Sequence, residues 1–203
     1  MSAGFPWHET KARLRELDAT SRAGSRIVLP AVLPPIAPGE TLDDWLARVP
    51  DALGVQVVVL LRAGSAALGL WDGDECVVHK VFTRYVVRGN GKAQPLHAKT
   101  KGKSRYGARL RLQNARRLLE EVGERLVEWF ATWPAPEAIH WSCPVRQWPE
   151  LFAANPPPPF PRDDPRLRRI AMHVHEPRFE ELLRVRRALA RGRIGEATDR
   201  SRS

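Results

Sequence analysis

The sequence predicts an α/β domain of the α+β kind, with a central mixed β-sheet, helices packed against it and one exposed loop. Three strand-like segments follow one another between residues 55 and 88 with short connections, which indicates an antiparallel meander. Beyond residue 106, helix-like and strand-like segments alternate, which indicates crossover connections. A chain of 203 residues, 43% of them hydrophobic, is long enough to bury a sizeable core.

The chain divides into three predicted regions: a helical and proline-rich extension (1–50), a main domain (51–193) and a disordered tail (194–203). In the extension, residues 7–22 have the pattern of a charged helix. The prolines of 29–41 predict extended chain, because each removes a backbone donor and restricts the residue before it. Thr41 is the predicted N-cap of a short helix with acids in its first turn.

The strands of the main domain are predicted from their apolar patterns. Residues 55–63 form a nearly continuous run of β-branched residues and leucine, typical of a strand buried on both faces. A second strand over 67–71 turns at 72–74 into a third strand over 75–88. Later segments are predicted as a strand (139–143), a helix (145–153), a polyproline-like surface connection (155–165), a strand (169–175) and a basic helix (178–193).

Residues 89–105 contain three glycines, one proline and no apolar periodicity, so they are predicted to be an exposed loop. A helix follows from about Tyr106 to about Phe130. Its apolar stripe recurs at three- and four-residue steps, at Leu112, Ala115, Leu119, Val122, Leu126 and Phe130. A neighbouring face continues the positive charge of the loop, with Arg105, Arg109, Gln113 and Arg116.

The net charge of +10 is concentrated in one part of the chain. Twelve Lys or Arg residues and no Asp or Glu lie between Lys80 and Leu119. Without these twelve, the 33 basic residues fall to 21, against 23 acidic ones. A local excess of this size predicts a surface that binds the phosphates of a nucleic acid.

Several classes of protein are excluded by the sequence. No apolar run approaches the ~20 residues that span a bilayer, and residues 1–18 lack the apolar core of a secretory signal. Cys76 and Cys143 are too few for a disulfide framework or a zinc finger, which suits a reducing cytoplasm. His173 and His175 have no third ligand at a familiar spacing, so we interpret them as packing or surface residues. We expect no metal, no cofactor and no membrane partner.

The basic loop contains residue types that suit hydrolysis near RNA. Gly89, Gly91 and Gly102 allow its backbone to pass close to another molecule. Gln94 is its one long neutral amide, which cannot titrate but can orient a water molecule. Its backbone N–H can meet a developing oxyanion. The surrounding lysines can hold phosphates, namely Lys92, Lys99, Lys101 and Lys103.

Two motifs together resemble a known family. Residues 91–94 (GKAQ) end a glycine-containing loop in glutamine, and residues 107–114 (GARLRLQN) open the following helix. This order resembles the Vms-like release factors, relatives of the catalytic middle domain of eukaryotic and archaeal class I release factors, whose helix opens with Gly-Ser-x-Leu-Arg-Arg-x-Asn. Ala108 and Leu112 depart from that motif, and Lys92 replaces the second glycine of the Gly-Gly-Gln signature.

The resemblance implies hydrolysis of the ester between a nascent peptide and the 3′-terminal adenosine of tRNA, on stalled large ribosomal subunits. Gln94 would place the attacking water, within a loop backbone of Gly89, Gly91, Lys92 and Ala93. RNA contacts are expected from Arg88, Lys99, Lys101, Lys103, Arg105, Arg109 and Arg116, and support for the loop from Gly107, Arg111 and Asn114. The expected partners of this cytoplasmic monomer are the large subunit, peptidyl-tRNA and rRNA.

Other functions stay open. Some relatives are thought to cleave the tRNA 3′ end instead of the ester, and sequence cannot separate those outcomes. The same basic surface would also serve a noncatalytic ribosome- or RNA-binding protein, which would not depend on Gln94. A metal-dependent nuclease is disfavoured, because the basic segment contains no carboxylate to hold a divalent cation.

Overall fold

The computed structural model describes residues 3–17, 25–84 and 103–196, with the side chains of 3, 103–108 and 196 outside the description. Its strands are β1 (Ala3–Pro6), β2 (Ser25–Val28), β3 (Val55–Arg62), β4 (Ser65–Asp72), β5 (Glu75–Thr83), β6 (Ala138–Ser142), β7 (Leu167–Arg169) and β8 (Arg191–Glu196). Its α-helices are α1 (Thr10–Arg15), α2 (Leu42–Arg48), α3 (Lys103–Thr132), α4 (Gln147–Phe152) and α5 (Phe179–Leu189).

The chain forms two compact units. The first contains the chain up to Gly54, the turn Asp72–Asp74 and the chain from Leu183 onward. The second contains Val55–Trp71 and Glu75–Leu182. The sequence predicts a different division, at residues 50 and 193, into an extension, a main domain and a tail. That division concerns function and remains a proposal.

The second unit is built on a five-stranded mixed sheet in the order β5-β4-β3-β6-β7, which confirms the predicted fold class. β3, β4 and β5 are joined by two-residue connections, which can link only antiparallel neighbours. The glycines in these turns, Gly64 and Gly73, have φ values of 86° and 59°, a region that other residues rarely adopt. β6 pairs parallel with both β3 and β7, as crossover connections require.

β3 is the central strand of this sheet and is buried on both faces from Val55 to Leu61, as predicted. One of its faces belongs to the core of the second unit, together with residues of β4, α3, β6 and α4. The polyproline-like connection is not confined to the surface, because Pro158 and Phe160 are buried. Phe160 contributes to the same core.

Helix α3 is longer than predicted at both ends and packs through only half of its length. Leu119, Val122 and Leu126 of the predicted stripe are buried, as expected. Leu112 was wrongly included, since its side chain is 71% exposed. The reason is position along the helix: among the side chains described on α3, full burial begins at Leu118. The preceding turns of α3 extend beyond the apolar core.

The first unit contains the three-stranded sheet β1-β8-β2. The terminal helix was expected to reach Arg193, but it ends at Leu189 and Arg191–Glu196 form β8 between two antiparallel neighbours. Gly192 disfavours helix and suits this strand, because a Cβ at that position would lie 2.3 Å from the Phe5 ring. Three residues of the expected tail therefore lie in a strand, and residues 197–203 lie outside the description.

Two further predictions about local structure have mixed outcomes. The Thr41 cap is confirmed, since its side chain accepts a hydrogen bond from the Asp44 N–H. The helix over 7–22 is wrong in extent: a 3₁₀ turn over Trp7–Glu9 leads into α1, which ends at Arg15. The strand over 169–175 is also wrong, because β7 ends at Arg169. Within the segment that was expected to be a strand, the carbonyl oxygen of Val174 accepts a hydrogen bond from the Arg62 side chain at 2.6 Å.

Gly123 supplies a test of how α3 packs. It is buried within the helix, and a Cβ there would lie 2.0 Å from the carbonyl oxygen of Pro156. Gly→Ala in an exposed helix stabilises by about 1 kcal/mol, but here the backbone of the proline-rich connection would have to move. We expect Gly123→Ala to lower the free energy of unfolding by about 1–3 kcal/mol, as overpacking does.

Chemical denaturation of the purified variants measures this. Glu124→Ala, at the neighbouring exposed position of α3, is the matched control and should change stability by less than about 0.5 kcal/mol. A Gly123→Ala protein more stable than wild type would contradict the close packing of this connection on the helix.

Candidate functional site

The predicted catalytic loop connects β5 to α3, and residues 85–102 lie outside the described part of the chain. The predictions for Arg88, Gly89, Gly91, Lys92, Ala93, Gln94, Lys99 and Lys101 therefore remain predictions. The backbone of α3 includes Lys103, Arg105 and Gly107, and the structure does not describe their side chains. The structure does define the elements on both sides of the loop.

The last described residue before the loop, Arg84, is held by three hydrogen bonds. Its backbone N–H donates to the carbonyl oxygen of Gly64 at 2.7 Å, in the turn between β3 and β4. Its Nε donates to one carboxylate oxygen of Glu121 at 3.0 Å, and a terminal guanidinium nitrogen donates to the other. The hydrogen bonds that the guanidinium donates to Glu121 raise the pKa of Arg84, so the group stays charged. The end of β5 is thereby tied to the middle of α3.

The Arg84–Glu121 pair was not predicted from the sequence. The Glu121 side chain is 21% exposed and also lies 3.9 Å from the Arg117 guanidinium, one turn earlier on α3. The 37 positions that separate Arg84 from Glu121 carry no local signal. The available hint was that Glu120 and Glu121 are the first acids after the long basic stretch.

On the other side of the loop, the first half of α3 presents a basic face. Arg109, Gln113 and Arg116 are exposed, as the sequence predicts. Arg109 and Arg116 are seven residues apart, which places them within about 20° of the same helix face. Arg111 and Asn114 are half-buried, so they occupy a different environment from the two exposed arginines. Their role in supporting the loop remains a prediction.

His173 and His175 lie close to each other in the second unit. Their ring centroids are 5.0 Å apart, and His175 Nδ1 is 3.3 Å from Glu181. Both line an open cleft of about 650 Å³ with Arg62 and Arg84. Within the described residues, no three His, Cys, Asp or Glu side chains are grouped to hold a metal ion.

The two cysteines are poor candidates for a nucleophile. Burial raises the pKa of the Cys143 thiol to about 12, and it also raises the pKa of Cys76. A neutral thiol is a weak nucleophile, because the thiolate is the reactive form.

Among the described helices, none combines the length and apolar character needed to cross a membrane.

A match to a release factor family defines the class of this protein. The fold is shared with a solved structure of the Vms1 mitochondrial localization core, at a TM-score of 0.51 over 91% of this chain and 83% of that one. The two sequences are 10% identical, so this likeness concerns the fold alone. Residues 56–197 match the model of the Bacteroidetes VLRF1 release factor. The chain therefore belongs to the VLRF1 release factor family, which confirms the resemblance seen in its motifs.

Curated relatives share the same region of sequence. The chain is 36% identical over 133 residues to the tRNA endonuclease ANKZF1 of Mus musculus and equally to that of Homo sapiens. The Bos taurus protein is 35% identical over the same length. Each match covers 64% of this chain and 18% of the relative. The chain thus corresponds to less than a fifth of these longer proteins.

The reactivity of the cysteines can be measured directly. In the folded protein at pH 8 we expect iodoacetamide to modify Cys76 and to leave Cys143 unmodified, because Cys143 is buried and its pKa is about 12. Mass spectrometry of the labelled peptides gives both rates. In guanidinium chloride both thiols should react alike, which serves as the control. Equal labelling in the folded protein would contradict the burial of Cys143.

Proposed function

We propose that this protein is a ribosome-associated peptidyl-tRNA hydrolase that releases nascent peptides from stalled large ribosomal subunits. The main support is its membership of a release factor family over residues 56–197. That range includes the Gly91–Gln94 motif, in the connection between β5 and α3. In this proposal residues 51–193 are the catalytic region and residues 1–50 an extension, in a cytoplasmic monomer.

The proposed reaction is hydrolysis of the ester at the 3′ end of the tRNA. The oxygen of a water molecule attacks the ester carbonyl carbon, the bond to the ribose oxygen breaks, and the ribose oxygen takes up a proton. The products are a free peptide acid and a tRNA with an intact 3′ end. Gln94 accepts a hydrogen bond from the water and holds it in line with the carbonyl. In this proposal the backbone N–H of Gln94 would meet the developing oxyanion.

A glutamine that works in this way needs support from its surroundings. Its amide cannot take the proton of the attacking water, so the proton must pass to RNA or to the leaving ribose oxygen. The ribosomal RNA of the large subunit supplies these groups in the proposed complex. The protein contributes placement of Gln94 and exclusion of competing water, which fits a loop anchored on a sheet and a helix.

The basic face of α3 would hold the RNA. Arg109 and Arg116 are exposed, and the segment from Lys80 to Leu119 contains no acid to neutralise them. The lysines of the loop, Lys99, Lys101 and Lys103, extend this charge in the sequence. Contacts of this kind bind phosphates without reading bases. That property suits rRNA and any peptidyl-tRNA, whatever its sequence.

A second candidate is endonucleolytic cleavage of the tRNA itself, favoured by the name tRNA endonuclease that the ANKZF1 relatives bear. The bond cut would be a phosphodiester near the 3′ end, so the peptide would leave with a short piece of RNA attached. A noncatalytic RNA-binding role is the third outcome, and it requires only the basic surface. The reaction products distinguish the three candidates: free peptide with intact tRNA, peptide with a piece of RNA attached, or no product.

The first test uses large subunits that carry peptidyl-tRNA labelled in the peptide and, separately, at the tRNA 3′-terminal nucleotide. We expect free peptide and intact tRNA from the wild type. Gln94→Ala should lower the single-turnover release rate by about 100-fold or more, because the attacking water is no longer held in place. Arg162→Ala, at an exposed position outside the loop and α3, should retain most of the rate.

Binding of Gln94→Ala to the same subunits should equal that of the wild type, which controls for misfolding. Loss of the 3′-terminal nucleotide with the peptide would identify the endonuclease. Unchanged release by Gln94→Ala would refute the assigned role of this residue.

The second test concerns the basic face of α3. We expect Arg109→Ala/Arg116→Ala to weaken binding of an RNA hairpin and to lower the log–log salt slope by about 0.7–0.9 for each phosphate that the variant no longer binds. Arg146→Ala/Arg162→Ala removes the same charge from exposed positions outside this face and is the matched control. Fluorescence anisotropy at several salt concentrations measures both variants. Equal slopes for the two double variants would mean that total charge, and not this face, binds RNA.

A further inference from the structure

We propose that Arg84 is a positioning residue: its ion pair with Glu121 fixes the point at which the chain leaves β5 and so restricts where Gln94 can be held. This inference rests on the proposed function and extends it to a pair of residues outside the loop. Arg84 itself does not touch the substrate. It acts through the nine residues that separate it from Gln94.

The contacts of Arg84 restrict its position more than an ordinary surface ion pair would. Two guanidinium nitrogens bind the two oxygens of one carboxylate, a paired arrangement that fixes direction as well as distance. The backbone N–H of the same residue is bound to Gly64 at 2.7 Å. The side chains of Arg84 and Glu121 are 34% and 21% exposed, so water reaches them only in part. Backbone and side chain of one residue are therefore fixed to two different elements.

The position of the pair along α3 sets the distance that the connection between β5 and α3 has to span. Glu121 lies 18 residues after the first residue of α3, Lys103. At 1.5 Å per residue, the point where the chain leaves the sheet is about 27 Å along the helix from the point where it returns. The connection from Arg84 to Lys103 spans 19 residue steps, and at about 3.3 Å per step it could reach roughly 60 Å.

The connection is therefore about twice as long as its end points require. A chain with that excess length does not determine the location of its middle residue through its ends alone. Each constraint next to the loop then reduces the volume that Gln94 can occupy. Catalysis by placement is sensitive to this volume, since a displacement of about 1 Å can cost 100-fold in rate.

The pair contributes little to the stability of the fold, so its effect on the loop can be measured separately. β5 is already held by its neighbour β4 and by the packing of Val78 and Phe82 on the core. Partly exposed ion pairs typically stabilise proteins by less than about 1 kcal/mol. Arg117, the other cation near Glu121, lies on α3 itself and cannot tie the strand to the helix.

The experiment measures single-turnover peptide release against protein concentration for Arg84→Ala, Glu121→Ala, the double variant and Arg84→Lys. We expect the maximal rate of Arg84→Ala to fall about 2- to 5-fold with an unchanged half-saturating concentration, which is as much as an ion pair of this strength can contribute. The double variant should be no slower than either single variant, because both remove the same interaction. Arg84→Lys should fall between, since an ammonium group cannot make the paired contact.

Arg125→Ala is the matched control. Arg125 also lies on α3, its side chain is 29% exposed, and its ion pair with Glu128 at 2.7 Å stays within that helix. We expect release at the wild-type rate. An equal loss of rate in Arg84→Ala and Arg125→Ala would overturn the proposal, because it would indicate a general effect of losing an arginine.

Amide hydrogen exchange in the free protein gives a readout that does not depend on activity. We expect the amide of residue 84 to exchange faster in Arg84→Ala and at the wild-type rate in Arg125→Ala. Unchanged exchange, or wild-type release by Arg84→Ala while Gln94→Ala is inactive, would overturn the positioning role. A wild-type protein that releases no peptide would overturn the proposed function instead.

Discussion

The burial of the second half of α3 against the sheet is the constraint on which the rest of the second unit depends. Leu118, Val122 and Leu126 are fully buried there, in the same apolar core as β3 and β4. Each such side chain stabilises the packed state by roughly 1.5–3 kcal/mol. Because this half of the helix supplies the packing, the half before it can expose arginines without loss of the fold. The loop is attached to that first half.

Features of the fold that depend on local pattern could be predicted from the sequence. A run such as 55–61 is typical of a strand whose apolar side chains are buried on both faces of a sheet. Thr41, shortly before two acids, is typical of a helix N-cap. Features that depend on distant partners could not be predicted. Arg191–Arg193 read as the end of a basic helix, and 194–196 as the start of a disordered tail, until β1 and β2, more than 160 residues earlier, supply hydrogen-bond partners on both sides. Leu112 fits the helical period, yet period alone does not say where the core ends.

The same division applies to the candidate site. The local excess of positive charge and the two motifs are visible in the sequence, and the exposure of Arg109 and Arg116 agrees with them. The Arg84–Glu121 pair joins residues 37 positions apart across a strand and a helix, so no sequence period reports it. Gly123 is a further case: glycine inside a helix reads as a weakness, whereas here it admits the backbone of Pro156. In both cases the structure identifies the partner that gives the residue its role.

A neutral glutamine can contribute to catalysis through its position but not through acid–base chemistry. A histidine or carboxylate can also transfer a proton with a tuned pKa, but an amide cannot. Its contribution to the rate depends on the position of the water and on how narrowly that position is distributed. The proposed enzyme would therefore need rigid elements at the base of a loop that is itself rich in glycine. A sheet turn at Gly64, a paired ion contact at Arg84 and a helix packed from Leu118 onward are elements of that kind.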